Sequence, residues 1–344
     1  MYFIFFFVQD FLKKNIKYKL AYDAIQKIHE GNIPRFGGLL SILGLGIIYF
    51  LSNPEYTKLI FIILLSSIPL IVVSLKEDLF QDTSPAFRIS SMIASLIIFF
   101  VINKLNFPVI DLFFLEYFLS KSYLIELGFF SFCCLVVING NNLIDGANGL
   151  MPITNLFQFI ALFLLSLYLN DPLLQYTSIS LILLIIIFLI FNYPFGKIFM
   201  GDLGAYFFGF SLSVLTIYAY TNTDLNSLGA VLLLFYQSFE LLVSIARRKI
   251  KNKNPLMPDT AHLHSILFEI YKNKNFSNLA ANNLVTPSLI IFWTGPFFLY
   301  FYFFNNQSYY LFLIFICILT YLVFFLSLIR LRSKVISKNV NKRP

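Results

Sequence analysis

NGNNLIDGANGL, residues 139–150, separates two long apolar runs, and those runs decide the fold. One covers about 123–139 and the other 150–169. Each is close to the roughly 20 apolar residues that a bilayer core requires. The stretch between them carries asparagines, the carboxylate of Asp145 and three glycines. Polar and ionisable groups beside hydrocarbon are costly, so such a cluster points first to a functional site. If the segment is helical, Asn139, Asn142 and Asp145 fall three residues apart and share one face. Gly146 and Gly149 permit a ligand to approach the backbone closely. The other reading is a polar loop that caps two helices.

The same alternation of apolar run and polar connection fills the chain. Its 344 residues are 58% hydrophobic and 12% charged, with 43 Phe, which excludes an ordinary soluble domain. Ten spans are predicted, at about 37–52, 58–75, 87–103, 123–139, 150–169, 172–191, 203–221, 227–246, 287–304 and 308–330. Residues 1–12 form an eleventh candidate, short and interrupted by Gln9 and Asp10. It has no preceding basic flank and no small-residue cleavage site, so it is not read as a signal peptide. The expected fold class is all-α, a polytopic integral membrane protein of 10–11 transmembrane helices in a single domain over 1–344. A cytoplasmic loop at 247–286 and a basic tail at 331–344 complete it. Cys133, Cys134 and Cys317 all fall in apolar runs without metal-ligand spacing and are read as packing residues.

Charge sets the expected orientation. Alternating the spans places 22 of the 25 Lys and Arg residues on one side, leaving only Lys58, Lys104 and Lys121 on the other. The positive-inside rule makes the loaded side cytoplasmic. Anionic lipid headgroups account for a net charge of +8 without any nucleic acid.

The polar motifs collect on that same side. They are His29 with PRFGG (34–38), KEDLFQDTSPAFR (76–88), the Asn/Asp stretch, FMGDLG (199–204) and PDTAHLH (258–264). Glu77, Asp78, Asp145 and Asp202 come from separate loops, and converging carboxylates suit a hard cation such as Mg²⁺. That ion suits phosphate chemistry. Taken singly, Glu77 and Asp78 read equally as a solvated helix end, and Asp202 as a helix N-cap. His262 and His264, two of three histidines, share a face on a strand and diverge on a helix. They give a weak zinc signal, and a helix start near Asp259 that presents imidazoles to an anion explains them as well.

Together these motifs resemble the polyprenyl-phosphate N-acetylhexosamine-1-phosphate transferases, along essentially the whole chain and in order. NGNNLIDGANGL is similar to the family's N-x-x-N-x-x-D-G-x-(D/N)-G-L, and FMGDLGAYFFGF to its F-(M/L)-G-D-x-G-(S/A). His29, Pro34, Arg35, Gly37 and Gly38 match a third motif. Arg247, Arg248, Pro255, Pro258, Asp259, His262 and His264 match the loop associated with the sugar nucleotide. Departures are Glu77 for the usual Asp, Glu240 for an Asp before the Arg pair, and Thr260 and Ser265 in the last loop.

The resemblance implies attack of undecaprenyl (polyprenyl) phosphate on a UDP-N-acetylhexosamine at the bacterial inner membrane. This is the first membrane step of a cell-envelope polysaccharide. It implies Mg²⁺ held by Asp202 and Asp78, with catalytic roles for Glu77, Asp78, Asp145 and Asp202. Arg35, Asn139, Asn142, Arg247, Asp259, His262 and His264 are the implied substrate-binding residues. Membrane lipid is the expected surrounding and a homodimer an open arrangement. A secondary transporter or lipid flippase is the rival class, but transporter sites lie near the bilayer midplane and often show inverted repeats. A membrane scaffold leaves the clustered carboxylates unexplained.

Overall fold

The computed structural model describes residues 33–104, 106–221, 223–253 and 261–340. Among these lie fifteen α-helices, one 3-10 turn at Gln307–Tyr309 and no strand. The chain is an all-α multi-pass membrane protein. Among the described residues seven helical stretches are long and apolar enough to cross a bilayer. They are α4 (Pro85–Asn103), α6 (Tyr123–Ile144), α7 (Leu150–Leu169), α8 (Pro172–Asn192), α9 (Gly201–Thr221), the stretch Asn278–Tyr302, and the last, Gln307–Val335, which holds most of α15 (Tyr310–Val340). The candidate helix at residues 1–12 lies outside the described residues.

Several spans start where sequence chemistry demands. Ser84 accepts the N–H of Phe87 ahead of Pro85, and Asp171 accepts that of Leu174 ahead of Pro172. A capping oxygen followed by a proline, whose missing N–H costs nothing in the first turn, fixes a helix start.

Three spans differ from the sequence expectation. The run 58–75 is not straight: α2 (Pro54–Ser66) and α3 (Ile68–Phe80) meet at 54°. Pro69 has no N–H and its ring opposes the preceding turn. Ser66 and Ser67 hydroxyls take up the carbonyls of Ile62, Ile63 and Leu64, and Ser95 Oγ accepts the N–H of Leu70. The run 227–246 is likewise divided at Leu234 into α10 (Leu228–Leu233) and α11 (Phe235–Ile250). Gln158 Nε2 donates to the Leu233 carbonyl at 2.9 Å. Third, the loop 247–286 contains α12 (Leu263–Asn273) and most of α13 (Asn278–Ser288), which runs on through α14 (Ile290–Tyr302) as a span starting well before residue 287. Polar Asn residues in α13 hid that start. The short α1 (Gly37–Leu51) and α5 (Phe113–Leu119) complete the set.

The axis of the bundle is α9. Its spanning window is 94% buried, against 28–61% for the other six. It packs on α6, α3, α1, α7 and α4. It is the least apolar of the seven spans, and its polar and small residues lie within protein rather than against lipid. The closest approach is to α1, where a Cβ on Gly38 would stand 2.2 Å from Gly204 N and 2.3 Å from Gly204 Cα.

Candidate active site

The first polar motif folds directly onto the fourth. Gly37 and Gly38 donate to the carbonyls of Phe199 and Met200, both at 2.9 Å, and Phe199 N–H donates to Pro34 O at 2.9 Å. These backbone bonds, in which the two segments run in the same direction, deliver Arg35 to the start of α9. Gly201 turns the chain there with φ +77, a left-handed conformation that glycine adopts freely. A Cβ at this position would meet Asp78 Oδ2 at 2.7 Å and Arg35 O at 2.8 Å.

Asp78, not Asp202, caps α9. Its Oδ1 accepts the N–H of Asp202 and its Oδ2 that of Leu203, each at 2.9 Å. The buried Asp78 carboxylate thus satisfies two of the orphan donors at a helix N-terminus, where negative charge is favoured. The cap leaves the Asp202 side chain available for other partners. Arg88 Nη1 donates to Asp202 Oδ2 at 3.2 Å and lies 3.6 Å from Glu77 Oε1. Arg35 lies 3.7 Å from Asp202 Oδ1 and 3.9 Å from Asp78 Oδ1. Glu77 Oε2 accepts the N–H of Thr83, which folds the following loop back over α3. Three carboxylates and two guanidiniums from four segments therefore occupy one cluster.

The Asn/Asp stretch forms the next wall. The helix continues to Ile144, and Asp145 closes it as the C-cap residue. Asn141 Nδ2 donates to Ala205 O at 2.8 Å and Asn142 Nδ2 to Tyr206 Oη at 3.0 Å, locking this end of α6 to α9. Asn139 turns elsewhere, back to Leu135 O at 2.8 Å and towards Met92 Sδ. Burial raises the carboxyl of Asp145 well above the usual carboxylate range; Arg35 opposes the rise, and Asp202 and Asp78 add to it.

The histidine segment packs on the same stretch. A Cβ on Gly146 would stand 2.2 Å from His264 Nε2, so this glycine makes room for the ring. His262 and His264 lie parallel, with ring centres 5.6 Å apart and planes at 8°. Burial, aided by His262 and opposed by Glu240, pushes the His264 imidazole down to about 3. His262 Nδ1 lies 3.2 Å from Glu240 Oε1. The Arg247 guanidinium lies over the Phe325 ring at 5.4 Å. Asp259, with His29, Pro255, Pro258 and Thr260, lies outside the described residues.

Three groups of site residues escaped the sequence reading. Arg88 ends the KEDLFQDTSPAFR motif, and one helical turn past the Ser84 cap was its only signal. Tyr206 looked like one more aromatic in an apolar span. Asn282 Oδ1 accepts the N–H of Asn148 at 2.7 Å, Asn283 Oδ1 accepts from Asn148 Nδ2 at 3.0 Å, and Thr286 Oγ1 donates to Asn148 O at 2.6 Å. These three stitch α13 to the Asn/Asp stretch, and only the polar run 278–283 hinted at it.

Among the described residues no three His, Cys, Asp or Glu side chains already surround one point. The donor set near the cluster is nevertheless all oxygen, and Asp78 and Asp202 both raise the carboxyl of Asp145. Excess negative charge on oxygen donors fits a hard divalent cation.

Comparison with known proteins agrees with this architecture. The family model described as glycosyl transferase family 4 matches residues 60–220. A probable undecaprenyl-phosphate N-acetylglucosaminyl 1-phosphate transferase of Bacillus subtilis is 28% identical over 248 residues, 70% of this chain and 66% of the relative. An undecaprenyl-phosphate alpha-N-acetylglucosaminyl 1-phosphate transferase of Thermotoga maritima is 28% identical over 241 residues, 70% of each chain. A phospho-N-acetylmuramoyl-pentapeptide-transferase of Leuconostoc mesenteroides is 34% identical over 79 residues, 23% of this chain and 25% of the relative. The aligned region spans about two thirds of the length of the first two relatives.

Proposed function

We propose that this chain, whose residues 60–220 match the glycosyl transferase family 4 model, transfers N-acetylhexosamine-1-phosphate from a UDP-sugar to undecaprenyl phosphate, as the names of its relatives suggest. An oxygen of the lipid phosphate attacks the β-phosphorus, the bond from that phosphorus to the bridging oxygen breaks, and UMP leaves. The products are UMP and a polyprenyl-diphospho-sugar. The observation that carries this reading is the convergence of Glu77, Asp78 and Asp202 with Arg35 and Arg88 beside Asp145. Two polyanions must meet in the reaction, and their repulsion has to be offset by cations.

Arg35 and Arg88 supply part of that offset. Paired with carboxylates as described, they are already oriented towards the cluster and can exchange those partners for phosphate oxygens. Asp78 keeps Asp202 in place through the backbone. Asn142, with Asp145 one turn on, lines the nucleotide side, His262, His264 and Arg247 hold the diphosphate and sugar, and Asp259 is a further substrate-binding residue. Mg²⁺ is the proposed cofactor, held by Asp202 with Asp78 and Asp145. When bound, it neutralises charge on phosphoryl oxygens. The site faces the cytoplasm of the bacterial inner membrane, where the nucleotide is available and the lipid phosphate lies at the interface.

The test is direct. The purified chain in detergent should release UMP from UDP-N-acetylglucosamine, or another UDP-N-acetylhexosamine, only when undecaprenyl phosphate is present. UMP release without the lipid, or none with any sugar of the panel, defeats the reading. The transporter alternative finds no support, because these carboxylates gather at helix ends rather than at the midplane.

Orientation has its own test. With native cysteines removed, single cysteines at Lys251 and Ser265 should resist an impermeant thiol reagent in sealed cells, whereas one at Asn106 should react. The basis is the 22-to-3 division of basic residues. Labelling at position 265 from outside would overturn both the orientation and a cytoplasmic site.

A further inference from the structure

Beneath the two histidines lies a buried carboxylate that the reaction as described does not use. Glu240, on α11, is 1% exposed. Its Oε2 accepts the Tyr321 hydroxyl at 2.6 Å. Its Oε1 lies 3.2 Å from His262 Nδ1 and accepts the N–H of Leu263 at 3.3 Å. An ionised carboxylate accepts only, so the proton between Glu240 and His262 sits on Nδ1. The lone pair or second proton of the ring is then at Nε2. A hydrogen bond to one ring nitrogen sets what the other can do.

Tyr321 comes from α15, far in sequence from the other residues of the site. Phe239 meets its ring edge-on at 5.0 Å, and Phe292 at 5.7 Å. The hydroxyl is thereby aimed at one acceptor. A separate contact, Arg332 Nε of α15 to Glu269 Oε2 of α12 at 2.5 Å, joins α15 to the histidine helix directly. The last membrane helix thus reaches the start of the histidine helix through Glu240 of α11 and its middle directly.

We propose that Tyr321 and Glu240 are positioning residues that fix the Nδ1–H form and the angle of the His262 ring, coupling the last membrane helix to sugar-nucleotide binding. The ring so fixed stacks on His264, which sits on Gly146 beside Asp145. The consequence for substrate rests on the role given above to His262; the chain of hydrogen bonds does not.

Two measurements on the full chain in detergent test the two parts separately. The first needs no turnover. With only three histidines in the chain, ¹⁵N-histidine spectra can be assigned by single replacements. At a pH where the ring is neutral, His262 should show the Nδ1–H form in the wild type. It should lose that form in Glu240→Ala. An Nε2–H form in the wild type, or one unchanged by Glu240→Ala, overturns the proposal. If Glu240→Ala does not fold, Tyr321→Phe, which removes one oxygen, serves instead and should broaden or shift the same signal.

The second measurement is kinetic. Tyr321→Phe should lower kcat/KM for the UDP-sugar about tenfold, the scale of one charge-assisted hydrogen bond, while KM for undecaprenyl phosphate stays unchanged. In a His262→Ala background the same replacement should have no further effect. An equal loss in both backgrounds means that Tyr321 acts only through general stability, and overturns the coupling. A wild type that turns over no UDP-sugar defeats the proposed function instead, and leaves the spectra to decide the hydrogen-bond chain.

Discussion

Asp202→Asn is expected to keep the fold and lose at least about two orders of magnitude in turnover, several kcal/mol of transition-state stabilisation. The backbone N–H of Asp202, not its side chain, is what Asp78 holds, so α9 stays capped in the variant. The neutral amide removes the charge on which Arg35 and Arg88 converge. The loss should therefore appear in rate and in Mg²⁺ dependence, and hardly in the unfolding temperature. Asp78→Ala should behave differently. It removes both capping oxygens, which costs about 1 kcal/mol by itself, and lets Asp202 drift. A nearly normal rate with unchanged metal dependence in Asp202→Asn would remove Asp202 from the chemistry.

Gly38→Ala should be the most damaging small replacement in the helix bundle. Its new methyl would stand 2.2 Å from Gly204 N and 2.3 Å from Gly204 Cα, and backbone cannot rotate aside as a side chain can. Either α1 tilts away from α9 or the pairing of Gly37 and Gly38 with Phe199 and Met200 opens. Overpacking of well-packed helices typically costs 1–3 kcal/mol, and an unyielding neighbour places this case at about the upper end. Thermal unfolding in detergent should show the drop, and turnover should fall with it because Arg35 moves with α1. A wild-type melting temperature in Gly38→Ala would mean that the two helices are not apposed as described.

Much of this was legible in the sequence, for identifiable reasons. Apolar runs bounded by Ser84-Pro85 or Asp171-Pro172 announce spans, because caps and prolines act locally. Membrane hydrocarbon makes Glu77, Asp78, Asp145 and Asp202 conspicuous by their cost alone. What stayed hidden is relational. Nothing in FMGDLG says that its helix is capped by a carboxylate over a hundred residues earlier. Arg88 gives no sign of its partners until α4 is set beside α9. The bend at Ser67 needed Pro69 to outweigh an unbroken apolar run. Tyr321 is invisible as a partner of Glu240, since periodicity reports a face and not what the face meets.

The central position of α9 has a consequence for how the protein is made. The axis of the bundle emerges from the ribosome only after α1 to α8. Until residues 199–204 appear, the amides of Gly37 and Gly38 lack their carbonyls and the carboxylate of Asp78 lacks its helix. The early helices wait in the bilayer around an unfilled middle, held by apolar contacts and a few hydrogen bonds such as Leu70 N–H to Ser95 Oγ. Arrival of α9 then fills that middle and brings Asp202 to Asp78, Arg35 and Arg88, before α10 to α15 are added. Insertion intermediates stalled before residue 199 should accordingly be readily degraded, and those stalled after α9 should resist.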